Sequence, residues 1–349
     1  MNESVKARLD KKNLKYVKYG IAWAVTAGLT YGVGPTFQTF AMGEQPFASL
    51  ALMSLMLIPM IMAAMQDGIA AILVFLKNAQ AGKHREYLRI AKTKPGRFIM
   101  LAAFFGGPLA LGSYMAAVTL CGPVYSLIFT AMLPAFGALA SRLFLKEHIN
   151  GRAWIGIGLA VAGAITVGWI PPSGEAYPHF YLGVLFALVC AIGWALEMVV
   201  ATAGMDFVDP EIAIGFRFVI SGLLSFLAIP IVSGLGLVSW GYFFESISSL
   251  SAVWMIGAAL FAGGSYYFYY RAGNAAGAAR SMAINPIMTI SATVLGVIIF
   301  GATLKINFFI GLVVLLIGCV LVVGKPSELI SLRDIEGKPS ELIPIKDAE

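Results

Sequence analysis

Ten apolar runs, each long enough to cross a bilayer and each bounded by charge, proline or glycine, constrain this chain more than any other feature. They extend roughly over Tyr19 to Met42, Phe47 to Phe75, Phe98 to Leu120, Val124 to Leu145 and Ala153 to Ile170. The second five cover Phe180 to Met205, Pro210 to Val232, Val253 to Tyr270, Gly277 to Phe300 and Asn307 to Val323. Inside hydrocarbon such a run must satisfy its own backbone groups, and these runs are too continuous for the alternating strands of a barrel, which leaves helices. The predicted fold class is all-α, a polytopic membrane protein with ten transmembrane helices. Composition agrees, with 59% hydrophobic residues and 12% charged in 349, where soluble domains carry about a quarter charged.

The charges sit in short blocks between the runs. With the N-terminus inside, the cytoplasmic loops hold seven basic residues from Lys77 to Arg97, then Lys146 and Arg152, then Arg271 and Arg280. The outer loops hold a single basic residue, Lys305. This asymmetry predicts both termini on the cytoplasmic side of a bacterial inner membrane. The acidic loop with Asp206, Asp209 and Glu211 falls inside as well, since acids carry little topological weight. Lys6, Arg8, Lys11, Lys12, Lys15 and Lys18 precede a run too long for a signal peptide's apolar core, so that run is a retained helix. Topology accounts for the net charge of +6 without nucleic acid, for which no module is present. Cys121, Cys190 and Cys319 lie in or at the ends of apolar runs without Cys-x-x-Cys spacing, as packing residues do.

The chain also matches itself. Gly112-Ser113-Tyr114 precedes Pro134 as Gly264-Ser265-Tyr266 precedes Pro286, both at an offset of 152. Gly20 and Tyr31 pair with Gly183 and Trp194, and Ile155-Gly156 with Ile310-Gly311. The expected organisation is a cytoplasmic segment 1–18, a first repeat 19–170, a second repeat 180–323 and a cytoplasmic tail 324–349. Because five spans per repeat is odd, the second copy enters the membrane from the opposite side, and inverted repeats place a substrate site near the midplane. In the tail, Gly324 to Ile330 recurs as Gly337 to Ile343, a small duplication in a solvated or interfacial segment.

Ionisable residues within spans are the leading functional candidates. Glu197 lies deep in the sixth run and shares a helix face with Trp194; it is expected to bind a cation or proton, the alternative being a pair with Arg217 that holds two helices together. Arg217, near the cytoplasmic end of its run, is expected to snorkel or to contact phosphate. The second run contains Gln66-Asp67-Gly68, the alternative reading being that the helix emerges or bends there, and Asp67 is the one other acid near a span. Tyr114 and Tyr266 are repeat mates expected in a cavity, as are Tyr31 and Trp194; Tyr269 and Trp23 complete the substrate-binding set. Tyr267 points elsewhere, towards Arg271. A wall of rings with one carboxylate suits an organic cation, above all a quaternary ammonium such as choline. Glu197 would then couple proton to substrate. No nucleotide loop or His-Glu-x-x-His motif occurs and His84, His148 and His179 sit at loops, so no cofactor, metal or enzymatic activity is expected.

With these residues in hand, the chain resembles the drug/metabolite transporter superfamily in its ten-helix form with two EamA-type repeats. The segments that carry this are Pro134 running into Phe144-Leu145-Lys146-Glu147, then Ile155-Gly156-Ile157-Gly158, and Gly183 to Trp194 opening the second half. Gly301-Ala302 departs from the pattern, standing where the repeat usually has an acid. Within the superfamily it is similar to LicB-type bacterial choline transporters in Phe105-Gly106-Gly107-Pro108, in Ala187 to Ile192 followed by Trp194 and Glu197, and in Ser265-Tyr266 followed by Tyr269-Tyr270. The resemblance implies choline import by alternating access, with pocket roles for Trp194 and Glu197, in a monomer or weak dimer among membrane lipids. The competing expectation is an exporter of aromatic amino acids or other metabolites of the same superfamily.

Overall fold

The computed structural model describes residues 18–50, 54–144, 151–168 and 177–323. The expected N-terminal segment, Lys146, His148, Pro171 and the duplicated tail lie outside them. Every described element is helical. Among the described residues, six stretches are long and apolar enough to cross a membrane: Leu57–Gln80, Lys94–Thr130, Phe180–Met205, Pro210–Val232, Leu250–Ala276 and Ser281–Phe300. The second of these is two spans joined, broken at Gly122, whose φ of 81° and ψ of 163° only glycine adopts readily. The fourth span then ends with Leu133–Phe144. The first span is split by a turn at Gly32 and Val33 into a helix over 18–31 and Gly34–Gly43. The fifth, Gly151–Gly168, and the tenth, Ile306–Val323, are shorter apolar helices.

The self-match has a structural counterpart. Both halves contain a π-helical turn that ends immediately before the matched glycine: Phe105–Leu111 before Gly112, and Ala259–Gly263 before Gly264. Pro108 lies inside the first, where its missing N–H favours a break in the ladder; no proline lies inside the second. Each following helix stops at a glycine of nearly the same conformation, Gly122 in one half and Gly277 (φ 88°, ψ 157°) in the other. The fifth and tenth spans, matched through Ile155 and Ile310, pack on each other through glycine. A Cβ on Gly318 would lie 2.5 Å from the Ala160 nitrogen, and one on Gly163 would lie 2.5 Å from that of Leu315. This is backbone-on-backbone packing, which small residues permit within a membrane.

The loops carry structure that hydropathy does not predict. A helix over His84–Ala91 lies inside the basic loop, and Ser239–Ile247 lies between the seventh and eighth spans. Thr93 caps the third span by accepting from the Gly96 amide, and Asp209 caps the seventh by accepting from that of Glu211. The basic loop and the acidic loop sit at one end of the molecule, joined by Lys83–Asp209 and Lys77–Glu211 pairs, both 2.8 Å. Its hydrogen bond to Asp209 holds the Lys83 ammonium above its usual range. At the other end, the Ser54 hydroxyl donates to the Ser233 carbonyl at 2.8 Å.

Candidate functional site

The first and sixth spans carry Tyr31 and Trp194, and the third and eighth carry Tyr114 and Tyr266; all four rings are buried. They converge on one another. Tyr31 lies 5.4 Å from Trp194 in an edge-to-face arrangement, 5.9 Å from Tyr114 and 6.1 Å from Tyr266 between centroids. Trp194 lies 5.4 Å from Tyr114 and 6.5 Å from Tyr266, and Tyr269 stands against Tyr266 at 6.1 Å. These are the separations of interacting aromatic pairs. The four central rings are two sets of repeat mates, so the duplication brings its matched positions to one place. A narrow cavity opens beside three of them, lined by Tyr31, Trp194, Ser265, Tyr266, Tyr269 and Asn285 and not by Tyr114. The Tyr31 hydroxyl and the Trp194 indole N–H have no hydrogen-bond partner among the described residues. A wider groove between the fourth, fifth and sixth spans is lined by Phe129, Phe136, Ile165, Leu188 and their neighbours; it is almost wholly apolar and has no charged group to orient a ligand.

Beside the rings lies a buried ionic triad. Arg217 Nε donates to Glu197 Oε1 at 2.6 Å and its Nη1 donates to Asp67 Oδ2 at 2.6 Å, with side-chain exposures of 0%, 1% and 1% in the order named. Tyr270 also donates to Glu197 Oε1, at 2.9 Å, and the Ser221 hydroxyl donates to Asp67 Oδ2. The guanidinium carbon sits 4.7 Å from the Tyr266 ring centroid and 5.1 Å from that of Phe218. Glycines of the first π turn make the space: a Cβ on Gly106 would fall on the Glu197 carboxylate, and one on Gly107 on the Ser221 hydroxyl.

Two expectations need correction here. Arg217 does not snorkel: it is fully buried, because two carboxylates inside the bundle take its Nε and Nη1 where lipid headgroups would otherwise have to, while Nη2 has no hydrogen-bond partner among the described residues. Nor does the second helix emerge or bend at Asp67. Leu57–Gln80 runs unbroken through it, since Arg217 and Ser221 supply the polar partners that water would have given. Trp23 lies apart from the ring cluster, with Tyr19 stacked at 6.2 Å and the Arg271 guanidinium at 4.4 Å. Tyr267 turns, as expected, away from the cavity, to Lys77, Glu211 and Arg271. The sequence names Tyr270 only within the family likeness and not as a site residue, and Ser221 not at all. Ser221 was signalled by its place one helical turn after Arg217.

The EamA-like transporter family matches over residues 18–169 and 181–324. The chain belongs to this family. It is therefore a multi-pass membrane transporter of the drug/metabolite transporter superfamily, whose members are not enzymes. Protein LicB of Haemophilus influenzae is 26% identical to it over 209 residues, which cover 59% of this chain and 68% of that protein. An uncharacterized transporter of Clostridium kluyveri is 26% identical over 185 residues, 51% of this chain and 56% of its own length. A crystal structure superimposes with a TM-score of 0.58 at 16% identity, covering 90% of this chain and 98% of that one, and shares the fold.

Proposed function

We propose that this transporter moves a small organic cation, choline or a related quaternary ammonium, by alternating access between inverted repeats at 19–170 and 180–323, with the proton as coupling ion. The observation that supports this is the convergence of Tyr31, Trp194, Tyr114 and Tyr266 beside a triad holding two carboxylates and one guanidinium. A quaternary ammonium donates no hydrogen bond and is held by ring faces, which the four spans supply. An amino acid would need a cationic partner for its carboxylate, and the Nε and Nη1 of Arg217 are already held by two carboxylates. The touching rings must part to admit substrate.

Thermal unfolding of the detergent-purified protein against choline, betaine, aromatic amino acids and nucleosides tests the reading, because a ligand that binds only the folded state raises the melting temperature. Choline should stabilise; stabilisation by aromatic amino acids alone would favour the exporter. Replacing Trp194 with Ala should weaken choline binding by about 2 kcal/mol, and replacing it with Phe by much less. Equal affinity in all three proteins would remove Trp194 from the site.

The same reading puts both termini and the 77–97 loop on the cytoplasmic face of a bacterial inner membrane, from the distribution of basic residues. Cysteines introduced singly should be labelled by an impermeant reagent in whole cells at Pro178 but not at Lys83. The reverse pattern would invert the topology.

A further inference from the structure

The ring cluster and the ionic triad share one element. Arg217 covers Tyr266 at 4.7 Å, the distance and position an organic cation takes on a ring face, while binding the same carboxylate, Glu197, that would attract such a cation. The guanidinium thus occupies a cation's place. No triad side chain lines the ring cavity itself; Arg217 adjoins it through Tyr266, and its second partner is Asp67.

Charge counting then limits what the site can hold. Two carboxylates and one guanidinium carry a net charge of −1 when all are ionised, and a fully buried uncompensated charge is costly. One proton on the carboxylate pair restores neutrality, and so does one monovalent cation. Glu197 Oε2 and Asp67 Oδ1 are both without a hydrogen-bond partner among the described residues, so either carboxylate has an oxygen free to carry the proton. The other charged or titratable groups around Glu197 are Arg217 from the seventh span, Tyr266, Tyr269 and Tyr270 from the eighth, Cys190 from its own helix and Asp67 from the second. Arg217 is the single cation among them.

We propose that Asp67, Arg217 and Glu197 form a one-for-one exchange site, in which Arg217 stands in for the substrate in the empty state and withdraws onto Asp67 when the cation arrives, releasing one proton. The inference rests on the organic-cation reading above and adds a stoichiometry and a positioning residue to it. The empty site holds one proton, one guanidinium and two carboxylate groups, summing to zero. The loaded site holds the substrate cation, the guanidinium and two carboxylates, again summing to zero, and the proton passes to water. Asp67 acts through Arg217, by giving it somewhere to go.

The test is to count protons released when choline binds to the purified full-length protein, by calorimetry in buffers of different ionisation enthalpy, and to follow affinity with pH. The wild type should release about one proton per choline where the empty site is protonated, and affinity should weaken about tenfold per unit of falling pH there. Asp67→Asn leaves Arg217 and Glu197 as a neutral pair. It should bind choline at least about tenfold more weakly, release no proton and lose the pH dependence, while Asp67→Glu restores all three. Choline binding by the wild type without proton release would overturn the exchange and leave the substrate reading standing. So would an Asp67→Asn protein with wild-type affinity and proton count. Failure of the wild type to bind any quaternary ammonium would remove the substrate reading and the exchange with it.

Discussion

Replacing Arg217 with Met is expected to cost the folded protein about 3–5 kcal/mol, the range found when one partner of a buried ionic group is removed. The cause is what it leaves behind. Asp67 and Glu197, each with a side-chain exposure of 1%, would share a buried negative charge without the guanidinium that now lies 2.6 Å from both. Tyr270 and Ser221 still donate to them, but hydroxyl groups do not neutralise a carboxylate. The deficit should shrink as pH falls, since protons can replace the missing cation, and it should shrink when Asp67→Asn and Glu197→Gln are added to Arg217→Met. Thermal unfolding in detergent from neutral to acidic pH measures this. An Arg217→Met protein as stable as wild type at neutral pH would show that the triad is no buried ionic group at all.

How much of this was legible follows from which physical term decides each feature. The spans were legible because bilayer-length apolar runs admit one kind of backbone, and Phe180–Met205 and Pro210–Val232 coincide with the expected sixth and seventh helices. The convergence of rings was legible through the duplication, which pairs Tyr31 with Trp194 and Tyr114 with Tyr266 before any coordinates are known. Depth was harder to read. Arg217 stands seven residues after Pro210, a position compatible with snorkelling, and its burial depends on Asp67, 150 residues away in the chain. Asp67 beside Gly68 resembles a helix end for the same reason: the partner that keeps it inside lies on another helix. The π turns at Phe105–Leu111 and Ala259–Gly263 leave no periodic trace, yet the first one brings Gly106 against Glu197. Local pattern carries the helices and the repeat; long-range pairing carries the electrostatics.

Glu197→Gln is expected to keep the fold and remove the pH dependence of uptake in proteoliposomes. The fold should survive because Arg217 retains Asp67, which makes a neutral buried pair, and because the amide oxygen of glutamine can still accept from Tyr270 as Glu197 Oε1 does now at 2.9 Å. The function should not. Without a titratable group at 197 there is no carboxylate for proton and substrate to share, and an arriving cation meets Arg217 and Asp67 already in balance. Choline affinity should therefore fall at least about tenfold, which corresponds to about 1.4 kcal/mol. This differs from the loss at Trp194, where a ring face disappears but the carboxylate stays, so that substitution should weaken binding while leaving the pH profile in place. Measuring affinity and pH-dependent uptake on both variants separates the two contributions. If Glu197→Gln binds choline as the wild type does and keeps the wild-type pH profile, the carboxylate only ties the sixth span to the seventh, and the organic-cation reading loses its main electrostatic support.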